Sequence, residues 1–176
     1  MEAELLEKLK IKDADAITNW VEQHQNDLYR LLRHLTRHNE TAEDLTQQTF
    51  IRAIKAIHNF QGKCTMRTWL HRIAFREYAA WRRKHRILAP LNPEWGKPDK
   101  AISEIDTNEG IINALHRLHP AHREAFLLHE VQELTIEEIA EVTGDSIGTI
   151  KSRLHHAREK LKRELATTFP QVIHEH

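Results

Sequence analysis

The chain has a single cysteine, Cys64, among 176 residues, which excludes an internal disulfide and any zinc site built on paired cysteines. It has five glycines but no glycine-rich phosphate loop, and no nucleophile paired with a base or carboxylate dyad stands out. No catalytic residue, cofactor or metal is therefore expected. Apolar runs are all far shorter than the roughly 20 residues a membrane span needs. The opening MEAELLEKLKIKDAD is too charged for a signal peptide, so the expectation is a cytoplasmic protein with no membrane insertion. Alternating strand patterns and hairpin dipeptides are missing as well. What remains is helical periodicity almost throughout, which predicts an all-α fold.

Positive and negative charges balance, 26 against 26, but their distribution is uneven. Residues 61–90 hold Lys63, Arg67, Arg72, Arg76, Arg82, Arg83, Lys84 and Arg86 against one acid, Glu77. Residues 99–144 are acidic, with ten acids and three bases, and 145–163 are basic again, with six bases and two acids. Two separate basic patches divided by acidic chain fit two distinct contacts with a polyanion, not a general coating of nucleic acid.

A length of 176 residues admits one large or two small domains. Residues near 13–36 predict one or two helices with Ile17, Trp20, Val21, Leu28, Leu31, Leu32 and Leu35 inward. Thr41 is the expected cap of the next, in which Leu45, Phe50, Ala53, Ile54 and Ile57 face the core and Glu43, Asp44, Gln47, Gln48, Arg52 and Lys55 face out. A further helix is expected from Thr68 to about Lys84, packing through Leu70, Ile73, Ala74 and Trp81. Its other side carries Arg72, Arg76 and Arg83 in a row beside Phe75 and Arg82. Such a row matches a phosphate backbone, and Phe60, Trp69, Phe75 and Tyr78 are aromatics able to stack on bases, although Phe60 and Trp69 are more naturally read as packing anchors. Pro90, Pro93, Gly96 and Pro98 then prevent a long helix, so 89–108 is expected to be a linker. Two helices follow, over 111–118 and 120–130, the second with Pro120 at the favoured first position.

The stretch LTIEEIAEVTGDSIGTIKSRLHHAREKL spells a helix-turn-helix. Thr135 and Glu138 have the spacing of a capping box, Gly144 suits the left-handed residue that ends a helix, and Ser146 suits the next N-cap. Ile147, Ile150, Leu154, Ala157 and Leu161 then form one seam. Thr149, Ser152, His155 and His156 lie opposite it, with Lys151 and Arg158 on the flank, where they offer donors to base edges and phosphates in a major groove. A solvated face on an ordinary helical hairpin would share this pattern.

Three of these segments in this order resemble a bacterial RNA polymerase sigma factor of the extracytoplasmic-function group. AEDLTQQTFIRA is similar to that family's polymerase-binding helix, FQGKCTMRTWLHRIA to its minus-ten segment, and the helix-turn-helix to its minus-thirty-five reader. The resemblance implies a domain at 1–88, the linker, a second domain at 109–167 and a tail at 168–176. It further implies core polymerase contacts at Asp44, Gln47 and Gln48, supported by Leu45. Minus-ten contacts fall on Lys63, Trp69, Arg72, Arg76, Arg82 and Arg83, and minus-thirty-five contacts on His129, Thr149, Lys151, Ser152, His155, His156 and Arg158. The implied partners are core RNA polymerase, promoter DNA and an anti-sigma factor. The chain departs from the family at Arg76 and Ala80, where Asn and Asp are frequent.

Two rival readings share these residues. A stand-alone helix-turn-helix regulator would leave the first basic patch unexplained. A metal site on His116, His119, His122 and His129 would be interrupted by Pro120 and lacks a completing cysteine or carboxylate triad.

Overall fold

The computed structural model describes residues 2–88 and 109–168; the expected linker at 89–108 and all but the first residue of the expected tail lie outside the described residues. The regular elements are all helical, as the periodicity predicts. The chain divides into two compact units, within residues 1–98 and 99–176.

The first unit contains α1 (Glu2–Lys10), α2 (Ala14–Thr36), α3 (Asn39–Ala56), a 3-10 turn at Ile57–Asn59 and α4 (Met66–Leu88). Helix α2 is a single helix. Asp13 caps it by accepting the Ala16 N–H at 2.8 Å, and Arg37 ends it in the left-handed conformation, with φ 66°. Its buried stripe of Trp20, Leu28, Leu31, Leu32 and Leu35 meets α3, where Phe50 lies edge-on to Trp20 at 5.6 Å. Two threonines on the buried side of α3 satisfy themselves locally: Thr46 Oγ1 donates to the Ala42 carbonyl at 2.7 Å and Thr49 Oγ1 to that of Leu45 at 2.6 Å. That bonding lets polar side chains sit at core positions without an orphaned hydroxyl.

Both expected starts in this unit shift. Helix α3 begins at Asn39, so Thr41 lies inside its first turn instead of capping it. Helix α4 begins at Met66 because Thr65, not Thr68, supplies the cap, its Oγ1 accepting the Thr68 N–H at 3.0 Å. Thr68 and Met66 are consequently buried. Tyr78 joins Leu70 and Ala74 in the α4 core, while Ile73 and Trp81 are half-buried.

The second unit contains α5 (Glu109–His116), α6 (Pro120–Phe126), a widened turn at Leu127–Val131, α7 (Ile136–Thr143) and α8 (Ile147–Thr168). Pro120 is at the start of α6 as expected. The helix does not continue regularly to 130, because the Gln132 N–H reaches back five residues to the Leu127 carbonyl at 3.1 Å. Leu127 and Leu128 are both buried in this widened turn. The core is completed by Leu134, Ile139 and Val142, together with Ile150, Leu154, Ala157 and Leu161 of α8. Ile147, the first residue of that helix, is 43% exposed and stands at the end of the seam instead of within it.

The helix-turn-helix forms as its capping signals dictate. The Glu138 N–H donates to Thr135 Oγ1 at 3.2 Å, and Glu138 Oε2 accepts the Thr135 N–H at 2.9 Å. Gly144 has φ 78°, and Ser146 Oγ accepts the Thr149 N–H at 3.1 Å. Thr135→Ala removes one half of the reciprocal box and should cost about 1 kcal/mol. Thermal unfolding should show this as a midpoint several degrees lower, and an unchanged midpoint would mean that the box adds no stability.

Candidate nucleic-acid interface

On α8 the buried seam and the polar side are cleanly opposed. Lys151, Ser152, His155 and His156 are all exposed, and Lys151 has no ion pair among the described residues. Arginines stand at the two edges of this face, and each is held. Arg153 makes a two-pronged contact with Asp145 across the turn, its Nη2 donating to Oδ1 at 3.1 Å. Arg158 donates through Nη2 to Glu130 Oε1 at 2.7 Å and through Nε at 3.3 Å. The same carboxylate oxygen lies 3.2 Å from His129 Nδ1. The hydrogen bond from Arg158, and the charges of Arg158 and His129, hold the Glu130 carboxyl below its usual range. Thr149 is half-buried and its hydroxyl is 2.9 Å from Ser146 Oγ, so it is occupied in capping.

On α4 the row of Arg72, Arg76 and Arg83 follows one side of the helix. Arg76 and Arg83 are exposed, and Arg72 is half-buried. Arg82 is not part of that row; its guanidinium lies over the Tyr78 ring at 5.5 Å. Tyr78 is buried and cannot serve as a base platform. Trp69 is half-buried and tilted against Phe60 at 5.3 Å, consistent with its reading as a packing anchor. Lys63 is exposed in the loop before α4, where Gly62 takes φ 67°. Glu77, the one acid of the patch, pairs with Arg52 of α3 at 2.9 Å, so the first basic patch is tied to the neighbouring helix.

On α3, Asp44, Gln47 and Gln48 are exposed while Leu45 is buried beneath them. A groove of about 230 Å³ opens beside them, lined by Gln25, Asn26 and Tyr29 of α2 and by Glu43, Thr46 and Gln47 of α3. The α2 residues are absent from the sequence-derived set, since nothing marks them beyond the polar side of an amphipathic helix.

His116, His119, His122 and His129 do not converge on one point. His116 Nδ1 lies 3.3 Å from Arg123 Nη1, and His129 lies beside Glu130. No group of three or more His, Cys, Asp or Glu side chains among the described residues is placed to hold a metal ion.

Two sigma factor families match the two units separately. Sigma-70 region 2 matches residues 20–87, and Sigma-70, region 4 matches residues 108–161. The chain belongs to the extracytoplasmic-function (ECF) group of RNA polymerase sigma factors. It is 32% identical to the RNA polymerase sigma factor YlaC of Bacillus subtilis (strain 168), over 88% of this chain and 95% of that one. It is 35% identical to the ECF RNA polymerase sigma factor SigE of Mycolicibacterium smegmatis, covering 88% of this chain and 64% of that longer one. Among solved structures, the sigma factor RpoE of Bartonella quintana, in complex with the anti-sigma factor NepR, superposes with a TM-score of 0.75. That match is 26% identical and covers 84% of this chain and 95% of RpoE. As a sigma factor the chain is a transcription initiation factor and not an enzyme. Among the described residues, no helix is long and apolar enough to cross a membrane.

Proposed function

We propose that this sigma factor recruits core RNA polymerase through its first unit and reads a promoter with both units. In this reading the domain at 1–88 binds polymerase through Asp44, Gln47 and Gln48 on the platform of Leu45. The groove toward Gln25 and Asn26 extends the same surface. Lys63, Trp69, Arg72, Arg76, Arg82 and Arg83 contact the minus-ten element, the exposed members through phosphates, while Trp69 and Arg82 shape the surface from packed positions. Trapping a base extruded from the stack contributes about 1–3 kcal/mol per stacked base, which helps offset the few kcal/mol needed to unstack it.

The domain at 109–167 reads the minus-thirty-five element. Lys151, Ser152, His155 and His156 enter the groove, and His129, Thr149 and Arg158 frame them. An anti-sigma factor of the kind bound to the Bartonella relative would cover these surfaces and silence the chain. The setting is the cytoplasm, and the output is a signal-responsive set of genes.

The observation that carries this reading is α8 itself. Its seam is fully buried, its edge arginines are held by Asp145 and Glu130, and the side chains between them remain free for a duplex. The test is run-off transcription by core polymerase reconstituted with this chain, on templates selected from random duplexes by the same holoenzyme. Transcripts should require both the chain and a selected template. If the chain alone retards the selected duplex as tightly as the holoenzyme does and no transcript is stimulated, it is a stand-alone regulator instead.

A further inference from the structure

A row of four imidazoles crosses from α6 to α8. His119 and His122 are 5.4 Å apart between ring centroids, His122 and His156 are 5.5 Å apart and nearly parallel, and His156 and His155 are 5.6 Å apart. Three of the rings are exposed and His122 is half-buried. His156 and His155 belong to the free face of α8, so the row extends that face onto α6. We infer that this row extends the α8 recognition face onto α6 as a phosphate-contacting strip, which grips the DNA backbone at the edge of the groove that His155 and His156 enter and takes up protons from solvent as it does so. The inference rests on the proposed reading of α8 as a DNA-contacting helix.

The charges around the row support it. From its own segment His122 faces His119, and from α8 it faces His156, Arg153 and Lys160; on α8 itself Glu159 and Lys160 follow His155 and His156. Asp145 is engaged by Arg153. No carboxylate is among the influences on His122, and its pKa is lowered first by burial and then by these neighbouring cations and imidazoles. An anion placed on the row would reverse that balance.

His119 has a separate part in the strip. Its Nδ1 accepts the Ala121 N–H at 3.3 Å, which leaves the ring proton on Nε2 as a donor without any protonation. Protonated His122, His155 and His156 would each offer two donors to phosphate oxygens, and charge-assisted bonds of this kind are roughly twice as strong as neutral ones. Adjacent imidazolium rings at these distances repel one another, and an anion placed between them would offset that repulsion. Phosphate binding and protonation are thereby linked, and each proton taken up makes the affinity rise tenfold per pH unit as pH falls through the interval between the free and bound midpoints.

The test is an NMR titration of the imidazole Cε1–H signals of the full chain, alone and with a 16-base-pair duplex of arbitrary sequence at fixed low ionic strength. The midpoints of His122 and His156 should rise by about one pH unit or more with duplex, and by less than a third of that with inorganic phosphate at the same phosphate concentration. With up to tenfold from each of the two groups, duplex affinity should fall by more than tenfold and up to about a hundredfold between pH 6 and pH 8 for the natural chain. With His122→Gln and His156→Gln together, that fall should shrink below threefold. An equal rise with inorganic phosphate would make the row a small-anion site and overturn the DNA assignment. If the Lys151 and Ser152 amide signals respond to duplex while the imidazole midpoints stay put, the strip is refuted and the reading of α8 stands. Should those amides also stay silent, the strip is refuted too, and run-off transcription then decides the reading of α8 independently. A double variant that unfolds is replaced by His122→Gln alone, judged on the same pH ratio.

Discussion

Replacing Asp44 and Gln47 together by alanine should remove most of the RNA synthesis this chain supports, while its thermal midpoint stays unchanged. Both side chains are exposed on α3, one turn apart, so alanine takes nothing from the core and is itself a better helix former than either. The polymerase contact is a different matter. Hot-spot side chains near the centre of a protein interface lose about 2 kcal/mol or more on truncation, and two such losses, about 4 kcal/mol together, weaken core binding by about a thousandfold. Fluorescence titration of labelled chain with core polymerase measures this directly. Binding within threefold of the natural chain would move the polymerase surface elsewhere, and the α2 side of the groove, at Gln25 and Asn26, would be the next place to look. Leu45 is a poor choice for the same experiment, because it is buried and its loss would confuse folding with binding.

Much of the fold is legible in the sequence because its signals are local. The Thr135–Glu138 box, Gly144 and Ser146 each act on backbone no more than four residues away, and each takes its expected place. The α2 stripe and the α8 seam follow from helical spacing alone. What the sequence hides depends on competition between neighbours. Thr41 is a good cap, yet α3 starts two residues earlier. Thr65 and Thr68 are both suitable caps for α4, and Thr65 prevails because Met66 and Thr68 are then buried. Helix α1 has its signal in Leu5, Leu6 and Leu9 and in the Glu4–Lys8 pair at 2.8 Å, but its charge overshadows that spacing. The widened turn at 127–131, in which Leu127 and Leu128 are both buried, has no sequence signature.

The interfaces are legible by residue type but not by partnership. Exposure of Lys151, Ser152, His155 and His156 follows from their angle on the helix. That Arg158 is held by Glu130, 28 residues away in sequence, does not, and neither does the burial of Tyr78 beneath Arg82. Aromatic residues near a basic row read as platforms in sequence; packing decides which of them remain available. The row of imidazoles is hidden for the same reason, because His122 and His156 become neighbours only when α6 packs on α8.

Lys151→Ala combined with His155→Ala should weaken recognition of the minus-thirty-five element by ten- to a hundredfold and leave core polymerase binding intact. The lower figure corresponds to the loss of one good base contact within the usual range of about 1–3 kcal/mol, the upper to the loss of both side chains. Losing the Lys151 ammonium should also reduce the slope of log affinity against log salt by about one, as expected for one phosphate contact fewer. Arg158→Ala provides the comparison. Its guanidinium is already shared with Glu130, so less of it is available to DNA, and its removal leaves that carboxylate without its main partner. The expected order of lost affinity therefore places the Lys151 and His155 pair ahead of Arg158, with Arg158→Ala instead showing a lower thermal midpoint. Competition binding by holoenzyme on a selected promoter, with and without a scrambled minus-thirty-five element, reads both quantities. Equal loss of polymerase affinity in the Lys151 and His155 variant, or a larger promoter defect in Arg158→Ala, would mean that the exposed centre of α8 is not the reading surface and that its held edge is.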